Sequence, residues 1–169
     1  MNEAADTLTV TGPRLRVVVD KRSGTLAFQR PDGTPLTRER AEAPARIERV
    51  QMAGEPTYAI EQAFTLAPDE SLYGLGQYDR PVMDYRGRDV LLVQTNIGIV
   101  VPFMLSTRRW GLLWDVYSKG TFADGAQGAT FAFESAPAGI DYYFVAGQTM
   151  DDVVAGYRQI GRGSCRERV

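Results

Sequence analysis

At 169 residues, with 44% hydrophobic and 24% charged residues, the chain has the composition of a single globular domain able to bury a core. A formal net charge of −2 gives no basic face for nucleic acid or an anionic membrane, so the fitting partner is a neutral or polar small molecule, or another protein surface. There is no histidine, which removes Ser-His-Asp and Cys-His nucleophiles and histidine metal sites, and the single Cys165 has no partner for an internal disulfide.

No apolar run reaches the length of a membrane span. The opening Met1-Asn2-Glu3-Ala4-Ala5-Asp6 is acidic, where a signal peptide would be basic. A soluble, cytoplasmic product with no cofactor and no metal is the expectation.

In chain order, residues 15–19 alternate with Arg14 and Arg16 in a half-buried strand pattern. Turns follow at Lys21-Arg22-Ser23-Gly24 and Pro31-Asp32-Gly33, with the strand 25–29 between them. Residues 37–49 are charged and interrupted by Pro44, which predicts a loop entering a strand. Tyr58, Ile60, Phe64 and Leu66 keep a two-residue period, so 57–66 is a strand, stopped by Pro68-Asp69-Glu70.

Residues 72–115 organise the chain. They open on Tyr73-Gly74-Leu75-Gly76-Gln77, pass a loop rich in Tyr, Arg, Asp and Asn, and end in two strongly apolar strands. Trp110, Leu112 and Trp114 share one strand face, which reads as core rather than as a sugar platform. Strands at 130–134 and 140–146 flank a Pro-Ala-Gly turn. The period then changes: Thr149 and Asp152 form a capping box, and Met150, Val153, Val154, Tyr157 and Ile160 give one apolar helix face. Many short strands with frequent turns predict an all-β antiparallel sandwich ending in one amphipathic helix. The domain spans 1–160. The tail 161–169, with two glycines and three arginines, reads as a stretch that leaves the helix, either a solvated end or foreign sequence.

Five pieces in order carry a resemblance: Tyr73-Gly74-Leu75-Gly76-Gln77; Met83-Asp84-Tyr85-Arg86-Gly87; Asn96 with Val101-Pro102-Phe103-Met104; Trp110-Gly111-Leu112-Leu113-Trp114-Asp115; and Ile140-Asp141-Tyr142-Tyr143-Phe144 with the helix from Met150 to Tyr157. Over residues 8–160 the chain resembles the N-terminal β-sandwich of glycoside hydrolase family 31, which holds α-glucosidases and α-xylosidases. The resemblance implies a galactose mutarotase-like sandwich packed on a catalytic (β/α)8 barrel. It also implies retaining hydrolysis of an α-linked oligosaccharide or glycoside by two barrel aspartates that lie beyond this sequence. The chain alone is then expected to be inactive, with no catalytic residue of its own.

The resemblance further implies that a loop of this domain touches the sugar. The position commonly held by Asp in that family aligns with Asn96, whose amide can donate to and accept from hydroxyls without a charge to desolvate. Capping a turn before the next strand fits Asn96 equally. Asp84, Tyr85 and Arg86 are candidates to line the same mouth, Tyr85 by stacking and Arg86 by gripping hydroxyls, though an Asp84–Arg86 pair at the loop surface also fits. Asp69-Glu70 and Asp151-Asp152 are adjacent carboxylates that diverge, so turn and cap duties are expected of them and not catalysis. Two other functions compete. A free-standing mutarotase would want a histidine and a glutamate, and there is no histidine. A stand-alone carbohydrate-binding module would want an exposed aromatic platform.

Overall fold

A computed structural model describes residues 1–126 and 128–166, with side chains described as far as Gly161. Its strands form three antiparallel sheets. The first is a meander in chain order: β1 (Asn2–Glu3), β2 (Thr7–Thr11), β3 (Arg16–Asp20), β4 (Leu26–Gln29) and β5 (Pro35–Arg38). Its turns are fixed by aspartates. The Asp20 carboxylate accepts the N–H groups of Arg22 and Ser23 at 2.8 and 3.0 Å, and Asp32 accepts that of Thr34 at 2.8 Å.

The other two sheets face each other across the core. One has the order β6 (Arg46–Met52), β7 (Glu55–Phe64), β13 (Gly128–Phe133), β12 (Gly120–Gly125) and β9 (Asp89–Leu92). The second has the order β14 (Tyr142–Ala146), β11 (Trp110–Trp114), β10 (Ile99–Ser106) and β8 (Leu72–Gln77). Trp114 links them, its ring centroid 5.5 and 5.3 Å from those of Phe131 and Phe133 on β13. Trp110, Leu112 and Trp114 are all buried on one face, as their alternation predicts.

The meander is held to this core by a backbone bridge from Glu39 to Phe64 and by three side-chain devices. Phe28 stacks on Phe144 with centroids 4.0 Å apart. The Arg30 guanidinium donates to the carbonyls of Gly147 and Arg108 at 3.2 and 3.1 Å. The buried Glu39 carboxylate accepts the Leu26 N–H at 2.8 Å and the Tyr142 hydroxyl at 2.5 Å, and burial pushes that phenol well above its ordinary value.

The Tyr73-Gly74-Leu75-Gly76-Gln77 motif is a bulge. On β8 the register steps two residues from Gly76 to Gly74, while on β10 it steps four from Val100 to Met104. Gly74, Leu75 and Gly76 all take positive φ, and a Cβ on Gly76 would lie 1.9 Å from the Ile99 carbonyl oxygen. Pro102 sits within this irregular stretch, where no regular ladder bond is asked of its missing N–H. Phe103 stacks on Tyr157 of the helix at 4.4 Å.

The helix α1 (Met150–Arg166) starts on the expected capping box. The Asp152 N–H donates to Thr149 Oγ1 at 3.1 Å, while Asp152 Oδ2 accepts the N–H groups of Gln148 and Thr149 at 3.1 and 3.0 Å. The Thr149 and Gln148 hydrogen bonds hold the Asp152 carboxyl below its ordinary value of 3.8. A depressed folded-state value stabilises the fold fully above the unfolded value and is lost as pH falls through the folded one. Asp152→Asn therefore lowers Tm at neutral pH, and the gap from the parent chain narrows below pH 3.8; thermal melts of both chains across that range check it.

Three expectations are corrected. The helix does not stop near Ile160 but runs to Arg166, since the stretch holds no proline to end it. Val154 is 39% exposed, since Val153 takes the central contact and the next position turns away by about 100°. Of the charged stretch 37–49, the expected loop entering a strand covers only 39–45: Thr37 and Arg38 end β5, and β6 begins at Arg46.

Candidate functional site

The loop of residues 78–88, between β8 and β9, and the loop 93–98, between β9 and β10, meet at one rim of the sandwich. Between them lies a cavity of about 490 Å3. Tyr78 and the buried Tyr85 contribute to its wall, Arg80, Arg88, Asp79 and Asp89 line it as exposed groups, and Thr95 and Ile97 close it from the second loop. The Tyr78 hydroxyl donates to the Leu75 carbonyl at 2.9 Å, which ties the cavity wall to the β8 bulge. Burial, with Tyr85 beside it, pushes the Tyr78 phenol up to about 12.

Asp84 is a clamp. Its Oδ1 accepts the N–H groups of Leu72 and Arg86, both at 3.0 Å, and the Tyr85 N–H donates to the Leu72 carbonyl at 2.8 Å. Burial pushes the Asp84 carboxyl up, but the hydrogen bonds from Leu72, Ser71 and Arg86 outweigh it and hold it below the usual carboxylate value. The Asp84–Arg86 side-chain pair is not made. Arg86 instead pairs with Asp124, 3.0 Å away, because the chain turns at Gly87 and sends the guanidinium over β12.

Asn96 is exposed at the tip of the second loop. The turn is closed without it: the Thr95 N–H donates to the Gly98 carbonyl at 3.0 Å, and Gln94 Oε1 accepts the Val100 N–H at 3.1 Å. Gln94 thus holds the capping role weighed for Asn96, and the Asn96 amide has no hydrogen-bond partner among the described residues.

Of the four candidates, the structure brings Tyr85 to the cavity and Asn96 beside it, on the loop that carries Thr95 and Ile97. Asp84 lies behind the loop as its anchor, and Arg86 lines a separate polar depression with Arg38, Arg40 and Asp124. Sequence reasoning missed Tyr78, Arg80, Arg88 and Ile97. The signal for them was a run of aromatic and charged residues broken by Pro81 and Gly87, which marks a loop without saying which side chains turn inward.

The adjacent carboxylates have structural duties. Asp69 pairs with Arg108 at 2.7 Å, and the buried Glu70 accepts the Ala67 N–H at 2.8 Å and the Ser106 hydroxyl. Asp152 caps the helix. Next to the rim, a groove of about 650 Å3 brings Gln94 and Val101 together with Tyr143, Tyr157 and Ile160. Tyr117 in this groove is 91% exposed, and on the neighbouring loop Ile97 is 75% exposed. The helix end and Gln94, at the start of the second rim loop, therefore line one groove.

Antiparallel sheets packed face to face, closed by one helix and carrying an open rim cavity, define a β-sandwich. Residues 1–122 match the glycosyl hydrolase 31 N-terminal galactose mutarotase-like domain, and the chain belongs to that family. It is 37% identical over 113 residues to an alpha-xylosidase of Saccharolobus solfataricus, covering 62% of this chain and 15% of that protein. Among solved structures, the alpha-xylosidase of Xanthomonas citri matches at TM-score 0.69 and 30% identity, over 74% of this chain and 14% of its own. An alpha-xylosidase from a soil metagenome, complexed with xylose, matches at TM-score 0.76 and 25% identity, over 90% of this chain and 25% of its own. The chain thus spans a small fraction of the length of its relatives.

Proposed function

We propose that the chain is the N-terminal accessory domain of a retaining α-glycosidase, hydrolysing α-linked xylosides or glucosides, whose two catalytic carboxylates lie outside this sequence. Its part is to present the 93–98 loop, with Asn96 at the tip, to the sugar. The observation that carries this reading is the Asn96 amide: exposed, free of the turn it stands on, and set beside the cavity between the rim loops. An amide so placed can donate to one hydroxyl and accept from another. The groove that holds the exposed Tyr117 with Tyr157 and Ile160 fits the surface on which the catalytic part would sit.

Aryl α-xylosides and α-glucosides test the reading directly. The chain alone is expected to give no turnover, and turnover abolished by a point substitution in this chain would overturn it. In the full-length glycosidase, Asn96→Ala is expected to lower kcat/KM about tenfold or more, the loss of one or two hydroxyl contacts. Titration calorimetry with free xylose and glucose is expected to show no binding to the chain alone. A sub-millimolar Kd would favour a stand-alone binding module, with the phenol-walled cavity as its site.

A further inference from the structure

β6 is one edge of its five-stranded sheet and, among the described residues, pairs only with β7, so alternate N–H and C=O groups along it have no strand partner there. Its two faces differ. Ile47 stands opposite Ile60, on the face that looks into the core. Ile60 is 3% exposed, but Ile47 is 56% exposed, so an apolar row runs out of the core to the edge and ends uncovered. On the other face Arg46 and Glu48 stand opposite Glu61 and Ala59, beside a shallow groove.

We propose that β6 pairs, antiparallel, with β6 of a second copy of this chain, about a two-fold axis through Ile47. An axis that sets two copies of one edge side by side in antiparallel sense must stand normal to the sheet, which keeps core face beside core face. The axis therefore passes through a residue position, and each position can be judged. Centred on Arg46 or Arg49, a guanidinium meets itself; centred on Glu48, a carboxylate meets itself; both arrangements are unfavourable. Centred on Val50, no opposite charges meet and Ile47 is left out of the pairing.

Centred on Ile47, every term agrees. Ile47 meets its own copy, and the row becomes Ile60, Ile47, the partner's Ile47, the partner's Ile60. On the opposite face Arg46 meets the partner's Glu48, and the symmetry makes that pair twice. Edge charges ordinarily guard a sheet against pairing. Here they reject the wrong registers and admit one. Few residues meet, so the dimer is weak and concentration-dependent.

Sedimentation equilibrium of the 169-residue chain over a wide concentration range tests this, with circular dichroism to confirm that each variant folds. A monomer–dimer equilibrium is expected. Ile47→Asp should abolish it, and Arg46→Glu should weaken it several-fold by setting a carboxylate against the partner's Glu48. The exchange Arg46→Glu with Glu48→Arg should restore it, because both cross-strand pairs are remade only in this register. A chain monomeric throughout, a dimer indifferent to Ile47→Asp, or a charge exchange that fails to restore association would each overturn the proposal.

Discussion

Gly76→Ala is expected to destabilise the fold by at least about 3 kcal/mol, read as a fall in the urea midpoint at unchanged slope. Two effects add. At φ +118 an alanine is held in a conformation that L side chains rarely adopt. Its Cβ would also lie 1.9 Å from the Ile99 carbonyl oxygen and 2.9 Å from the Val101 nitrogen, both backbone atoms that cannot rotate aside. β10 must move, and with it the loop that carries Asn96. Gly24→Ala separates the two effects: its φ is also positive, at +75, but nothing lies within 4 Å of the added Cβ. A cost of about 1 kcal/mol is expected there. Equal losses at the two sites would show that the close approach of β8 and β10 contributes nothing.

Trp114→Ala is expected to cost about 3–5 kcal/mol, which a domain of ordinary stability, about 5–15 kcal/mol, barely survives. Trp114 is the ring where the facing sheets meet, in contact with Phe64, Phe131, Phe133 and Tyr142. Truncation leaves a void that four rings on three strands cannot close together. Its indole Nε1 is buried without a hydrogen-bond partner, so Trp114→Phe loses volume but removes an unsatisfied donor. The phenylalanine variant should therefore keep most of the stability that alanine loses. Chemical denaturation of the pair checks this, and equal losses would contradict a packing role.

The sequence announced its strands where one face is buried and the other wet. Ile60 and Phe64 fall on one buried face because β7 crosses the middle of a sheet, though Tyr58 nearer its start is exposed, and Trp110, Leu112 and Trp114 share a buried face on β11. It was quiet at the edges. β6 is exposed along nearly all its length, so Arg46, Glu48 and Arg49 read as loop. β9 has four residues inside a stretch taken whole as a recognition loop. The capping box was legible because its hydrogen bonds are local, three residues apart. The site was legible only as a loop. That Arg86 turns to Asp124, 38 positions away, depends on how β12 crosses the sheet, and no local pattern encodes it.

The contacts of Arg30 and Glu39 set an order on how the chain can fold as it is made. Arg30 reaches Gly147, 117 positions on, and Glu39 reaches Tyr142, 103 positions on. The first sheet emerges early from the ribosome and its β5 end bonds residues 63–65 soon after, yet the partners of Phe28, Arg30 and Glu39 arrive only with β14. Until then Phe28 lacks the ring it stacks on, and β11 lacks a neighbour on one side. Long-range closures of this kind slow folding and leave sheet edges open meanwhile. β14 thus does more than widen its sheet: its arrival adds a second fastening to an amino-terminal sheet held until then only at its β5 end.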